Sequence, residues 1–311
     1  MSDPQAPRIV VVGSTNTDLV VSVAHIPAPG ETVLGGTLQI TPGGKGANQA
    51  VAAARLGGTV TFIARVGDDD FGRRSLAGFA EDEIDTAFVT MTPGVASGVA
   101  LISVAETAGE NSIVVAPGAN ARLSPADIDA AAAAFDAAAV VVLSLEVPLD
   151  TVIRAAELAS ARRVPIVLNP APARALPARL LSMVTLLTPN ETEARQIAGA
   201  GRPNADVDVE TIGAELLATG VETAVITLGA LGSLIVTPDG TEYASSVRVK
   251  AVDTVAAGDC FTGALAVEIA AGRSLRDAVR FASAAAAVKV TRHGAQAGIP
   301  HRADVEALLG R

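Results

Sequence analysis

The stretch Asp253-Thr254-Val255-Ala256-Ala257-Gly258-Asp259, running on into Cys260-Phe261-Thr262-Gly263-Ala264-Leu265, holds the residues best suited to chemistry. Its small side chains make a tight turn that opens an Ala-rich helix, with one carboxylate in the first turn. Unpaired backbone N–H groups and the positive end of the helix dipole gather negative charge at such a start. Ala256, Ala257 and Gly258 have no bulk to keep an anion away. A carboxylate beside an anion hole is what phosphorylation of an alcohol requires, with Asp259 taking the hydroxyl proton and the amides holding the transferring phosphoryl. An ordinary helix-terminal acid is the competing reading of Asp259.

Four further groups could join that chemistry. Pro42-Gly43-Gly44-Lys45-Gly46-Ala47-Asn48-Gln49-Ala50 opens another helix, where glycines permit close backbone approach and Asn48 can both donate and accept hydrogen bonds, as a polyol demands. It is neither a Walker A loop, since no Ser or Thr follows Lys45, nor a dinucleotide fingerprint. A glycine-rich helix entry with a solvated Lys45 is the plainer alternative. Asp18, Glu146, Asn169 and Asn190 lie just past predicted strands, where ligands of open α/β sheets bind, although each alone also reads as a cap or turn residue. Asn190 with Glu193 three residues on has the spacing of a capping box, which competes with a metal role. Thr227-Leu228-Gly229-Ala230-Leu231-Gly232 suits backbone contact with phosphates or a plain strand-to-strand connection. Gly67-Asp68-Asp69-Asp70-Phe71-Gly72 reads as a turn and helix cap, and Cys260 as a small buried hydrophobe.

The elements that must position these groups follow from the apolar pattern. Strands are expected at 9–12, 60–64, 140–143, 165–168, 184–187 and 224–227, with helices at 47–56, 127–138, 150–161 and 191–198. This alternation predicts an α/β fold, a mainly parallel sheet covered by helices on both faces. Two segments break the rhythm, 15–41 and 96–116, rich in Val, Thr and Ser with a hairpin turn at 106–111. They read as a small β-sheet beside the core, a lid within one domain spanning 1–311.

Composition excludes several classes. Aromatic residues make up 3% of the chain and Trp is absent, so the core must be built from Ala, Val, Leu and Ile. No apolar run reaches the roughly 20 residues of a membrane span, and residues 1–7 carry no signal-peptide pattern. A formal charge of −10 without a basic stripe argues against nucleic acid. The single cysteine fits a reducing, cytoplasmic setting, and three scattered histidines give no metal-ligand spacing.

Taken together, the Gly43–Ala50 and Asp253–Asp259 motifs, with Asn169-Pro170-Ala171-Pro172-Ala173 and Thr188–Glu193 between them, resemble the ribokinase-like (PfkB) carbohydrate kinases nearly end to end. The resemblance implies a three-layer α/β/α core with a β-sheet lid, a homodimer formed through the lid, and ATP-dependent phosphorylation of D-ribose at its 5-hydroxyl. By the family pattern Asp18, Gly44, Asn48 and Glu146 bind the sugar hydroxyls, while Ala100 and Ile102 touch its apolar face. Asp259 is the base, with Ala256, Ala257 and Gly258 as the anion hole. Asn190, Thr227, Gly229, Gly232, Gly258 and Ser283 line the ATP site, and Glu193 holds Mg2+ through water. A monovalent cation, typically potassium, is implied at Asp253, Val255, Lys289, Arg292, Gly294 and Gly298, mainly through backbone carbonyls. Two departures stand out: Gly298 replaces a common Ser, and Ser283 replaces a larger side chain near the adenine position. Competing readings are a kinase for deoxyribose, fructose or a nucleoside, and a sugar-binding regulator without catalysis. Against the regulator stands Asp259, since a binder needs no base beside an anion hole.

Overall fold

The computed structural model describes residues 6–105, 111–199 and 207–310. Its strands, in chain order, are β1 (Arg8–Val12), β2 (Asn16–Val23), β3 (Gln39–Gly43), β4 (Thr59–Gly67), β5 (Asp85–Thr92), β6 (Gly98–Ala105) and β7 (Asn111–Ala116). They continue as β8 (Val140–Ser144), β9 (Ile166–Asn169), β10 (Leu186–Leu187), β11 (Thr223–Thr227), β12 (Ser233–Thr237) and β13 (Gly240–Ala244). The helices are α1 (Lys45–Arg55), α2 (Asp70–Glu81), α3 (Pro125–Ala130), α4 (Ala132–Asp136), α5 (Leu149–Ala161) and α6 (Ala178–Leu181). The rest are α7 (Glu191–Ala198), α8 (Val209–Ala218), α9 (Ala257–Ala270), α10 (Leu275–Val290) and α11 (Arg302–Leu309).

Nine strands form the main sheet in the order β13-β12-β11-β10-β9-β8-β1-β4-β5, parallel except at the β11–β12 and β12–β13 pairs. Alternation along β1 shows how both faces are covered. Ile9 and Val11 join one apolar cluster with α1, α9 and α10, whereas Val10 and Val12 join the other with α5 and α8. The expected fold is therefore present. The antiparallel strands β12 and β13, and β5 at the opposite edge, lie beyond the strands expected from the sequence. The exposed faces of the edge strands β5 and β13 break the continuous apolar runs by which buried strands are recognised, whereas β12, between β11 and β13, is short and buried.

The two rhythm-breaking segments do pair into a second sheet, ordered β3-β2-β6-β7, with β2 parallel to β6 and the outer pairs antiparallel. Within 15–41 only β2 and the start of β3 are strands, and the expected hairpin turn at 106–111 falls largely outside the described residues. The helix expected over 127–138 is instead two short ones, because Ala131 ends α3 and begins α4. Asp69 caps α2 by accepting from Gly72 N–H at 2.8 Å, as the acidic turn implied. Among the described residues no helix is long and apolar enough to cross a membrane.

Candidate active site

The sheet grows from β1 in both directions, toward β4 on one side and β8 on the other, and the crevice beyond that switch point holds the site. Just past β1, Ser14 Oγ donates to Glu146 Oε2 at 2.6 Å, and the Lys45 amide adds a second bond to the same oxygen at 3.1 Å. Glu146, past β8, is thereby fixed at the mouth of α1. Asp18 lies on β2, opposite Ala100 of β6, and both are buried. Ile102, half-buried, shares their face two residues further along. A Cβ on Gly43 would stand 2.2 Å from Asp18 Oδ2, so glycine there lets the carboxylate lie against the backbone.

Helix α9 starts at the far wall. Its N-cap, Ala256, adopts a left-handed conformation (φ 59°), which a residue with a Cβ holds only at a cost. The N–H groups of Ala256, Gly258 and Asp259 have no acceptor within the described residues, whereas Ala257 N–H is used in the turn, 3.2 Å from Thr254 O. Asp259 is buried and held from both sides, Asn48 Nδ2 donating at 2.9 Å and Gln49 Nε2 at 3.1 Å. Gln49 is aligned in turn by Asn169 Oδ1 at 3.2 Å, while Asn169 donates to Thr188 O at 2.9 Å. These contacts need α1 and α9 to touch closely. They do so at Gly263, where a Cβ would come within 2.7 Å of Gln49 O and of Ala52 Cβ. Asn48 Oδ1 remains buried without a partner, ready for a ligand hydroxyl.

Charge in this crevice is unbalanced. Burial, then Glu146, then Asp259 push Asp18 up to about 6. Lys45 is half-buried rather than solvated, and its ammonium is held protonated chiefly by Asp259, with Glu146 and Glu193 adding to it against the cost of burial. The sequence reading missed Lys45, Gln49 and Ser14. All three lie inside or beside the quoted motifs, but only their tertiary neighbours give them a task.

Two connected cavities extend from the start of α9. One, of about 220 Å³, is lined by Lys45, Asn190, Glu193, Ala256 and Asp259 among others. The other, of about 670 Å³ and largely apolar, is bounded by Gly229, Gly232, Val247, Phe261, Ser283 and Ala287. Thr227, Thr254, Ala257 and Gly258 line both, which makes one continuous cleft shaped for a triphosphate and a flat apolar base. Asn190 and Glu193 form the expected capping box, Asn190 N–H donating to Glu193 Oε2 at 2.9 Å and Glu193 N–H to Asn190 Oδ1 at 2.8 Å. Burial raises the Glu193 pKa, with the Asn190 amide and then Lys45 opposing it and Asp259 adding to it. No group of three or more His, Cys, Asp or Glu suited to a metal is assembled among the described residues. Glu193 therefore fits a hydrated magnesium ion carried by a nucleotide better than it fits a protein-built metal cage.

The expected monovalent-cation residues do come together, but they do not fit a mobile ion. Asp253 uses its carboxylate on the amides of Val255 (2.9 Å) and Gly294 (2.8 Å). Lys289 enters with its side chain rather than its carbonyl, and its ammonium donates to Asp253 O at 3.0 Å. Arg292 turns outward to Asp304 at 3.1 Å. Cys260 is buried, and burial pushes its thiol up to about 12, so it is no nucleophile.

An anion-binding helix start, a clamped carboxylate and a nucleotide-shaped cleft define a sugar kinase, and comparison with known proteins agrees. The model of the pfkB family of carbohydrate kinases matches residues 6–302, and the chain belongs to that family. It is 41% identical over 301 residues to the ribokinase of Haemophilus influenzae, covering 97% of this chain and 98% of that protein. A deoxyribokinase of Salmonella typhimurium is 37% identical over 293 residues, covering 94% and 95% of the two chains. The structure of Arabidopsis thaliana ribokinase complexed with ribose and ATP superposes with a TM-score of 0.91 at 31% identity, over 99% of this chain and 100% of that one.

Proposed function

We propose that this enzyme transfers the γ-phosphoryl group of ATP to the 5-hydroxyl of D-ribose. The observation that carries the reading is Asp259, clamped by Asn48 and Gln49 beside the unpaired amides that open α9. Asp18, Asn48 and Glu146 bind the ribose hydroxyls, with Gly44 at the entry of α1 and Ala100 and Ile102 against the carbon face. The attacking oxygen forms its bond to phosphorus as the bond to ADP breaks, and its proton passes to Asp259. Transfer of this kind has a loose transition state, so the proton leaves late and a carboxylate suffices as base. The amides of Gly258 and Asp259, with Ala256 and Ala257 shaping the turn, hold the phosphoryl oxygens. Asn190, Thr227, Gly229, Gly232 and Ser283 line the nucleotide's path, and Lys45 faces its phosphates. Magnesium, held through water at Glu193, supplies charge neutralisation when bound with ATP. Potassium has no place in this reading, since the Lys289 ammonium already stands in its loop.

The relatives support ribose over other sugars, and the deoxyribokinase makes deoxyribose the second reading. ADP release measured with ribose, deoxyribose, fructose and adenosine separates them. The highest kcat/KM is expected with ribose, and a preference for another acceptor would move the specificity while keeping the kinase.

Asp18 makes a pH-dependent prediction. Its protonated form contributes stability that is fully present below its ordinary value of 3.8 and lost as pH rises through about 6. Asp18→Asn is therefore expected to stabilise the free enzyme at neutral pH by on the order of 1–3 kcal/mol, the gain vanishing in acid. Chemical denaturation across pH reads this directly. The same variant is expected to raise KM for ribose, and an unchanged KM would remove Asp18 from the sugar site.

The lid supports a homodimer. Ile40, Leu19, Leu101 and Val114 stand in one cross-strand row, on the face opposite Asp18 and Ala100. Ile40, Leu101 and Val114 are 47%, 51% and 62% exposed. An apolar row of this kind marks an interaction surface. Leu101→Glu is expected to shift the protein from dimer to monomer in sedimentation velocity, and a monomeric unmodified enzyme would refute the assignment.

A further inference from the structure

Lys289 is 0% exposed, and among the described residues no other lysine or arginine is so enclosed. Burying an ammonium costs several kcal/mol unless it is paired and hydrogen-bonded. Lys289 meets those needs in one place. Nζ donates to Asp253 O at 3.0 Å and lies 3.8 Å from Asp253 Oδ1, and the residue sits in the last turn of α10, where a helix favours positive charge.

What it touches gives the ammonium its task. Asp253 holds the Val255 amide at 2.9 Å and the Gly294 amide at 2.8 Å, and so ties the turn before α9 to the loop after α10. Val255 leads directly to Ala256, the left-handed N-cap whose conformation aims the open amides of the anion hole. A positive charge beneath Asp253 keeps that carboxylate and its two amides in register while a polyanion binds on the other side of the turn.

Gly298 makes the arrangement possible. A Cβ there would stand 2.7 Å from Gly294 O, 3.1 Å from Lys289 Cε and 3.2 Å from Arg292 O. The lysine stem thus runs among the carbonyls that the family resemblance assigns to a monovalent cation, in space that any larger residue at 298 would close. Glycine at 298 and the lysine stem from 289 depend on one another in this packing.

We propose that the Lys289 ammonium is a tethered replacement for the monovalent cation. Lys289 is a positioning residue that holds the Asp253–Ala256 turn, and phosphoryl transfer by this enzyme is independent of potassium. This rests on the kinase reading above.

The test measures initial rates with ribose and magnesium ATP, exchanging potassium chloride for tetramethylammonium chloride at constant ionic strength. The unmodified enzyme is expected to show the same kcat in both salts. Lys289→Met keeps the stem and removes the charge. It is expected to lose roughly 10–100-fold in kcat with little change in KM for ribose, because a misaligned anion hole is felt in the transition state. Lys289→Ala opens the space, so potassium, but not tetramethylammonium, should restore its rate and raise its melting temperature. The unmodified enzyme's melting temperature should not respond. A several-fold potassium activation of the unmodified enzyme overturns the proposal, as does full activity of Lys289→Met without potassium. An alanine variant that folds yet gains neither activity nor stability from potassium also overturns it, and if that variant does not fold, the methionine variant and the salt exchange decide. The melting comparison needs no sugar, so failure of the ribose assignment is distinguishable from failure at Lys289.

Discussion

Asp259→Asn is expected to lower kcat by roughly 10²–10⁴ while leaving the affinity for magnesium ATP largely intact. The loss comes from chemistry rather than from folding, for a reason visible around the side chain. Asp259 accepts from Asn48 and Gln49, and both amides keep a buried oxygen without a partner. When the carboxylate becomes an amide, Asn48 can turn its oxygen toward the new N–H, so the clamp survives without an unmatched donor pair. A well-folded, nucleotide-binding, slow enzyme is the expected result, read by circular dichroism, ADP calorimetry and steady-state rates. Near-normal turnover would remove Asp259 from the proton transfer.

Lys45→Met has the second largest expected effect. Its ammonium sits among Asp259, Glu146 and Glu193, each of which favours its charged form. It also lines the cavity between Glu193 and the start of α9. Removing it leaves the crevice strongly anionic where the phosphates of ATP must enter. The expected loss in kcat/KM for ATP is roughly 10²–10³, the scale on which a preorganised charge acts in a water-poor site. KM for ribose should change far less. An equal rise in both KM values would indicate collapse of the α1 entry rather than loss of a phosphate contact.

The homology-bearing motifs and the mechanism meet at one mechanical point, the contact of α1 with α9. Gly263 lets the two helices approach, and that approach delivers Asn48 and Gln49, 211 and 210 residues away in sequence, to the two oxygens of Asp259. The Ala-rich composition that first reads as helix propensity is equally a condition for this closeness, since bulkier helices would hold the base away from its clamp.

Local pattern alone determined a good deal. The apolar alternation sets the parallel core strands and helices α1, α5 and α7, because buried strands and amphipathic helices write their period directly into the chain. The capping box of Asn190 and Glu193 is likewise local, fixed by backbone geometry within a few residues. Tertiary structure decided what depends on distant partners. It turned Lys45 from a surface lysine into the counter-charge of three carboxylates, placed Gln49 and Ser14 behind Asp259 and Glu146, and raised Asp18 to about 6 by burial beside like charge. It also exchanged the expected role of Lys289, whose side chain rather than its carbonyl faces Asp253. Electrostatic environment is a sum over neighbours that folding assembles from across the chain, so residue type and spacing can name the participants without stating their charge, partner or task.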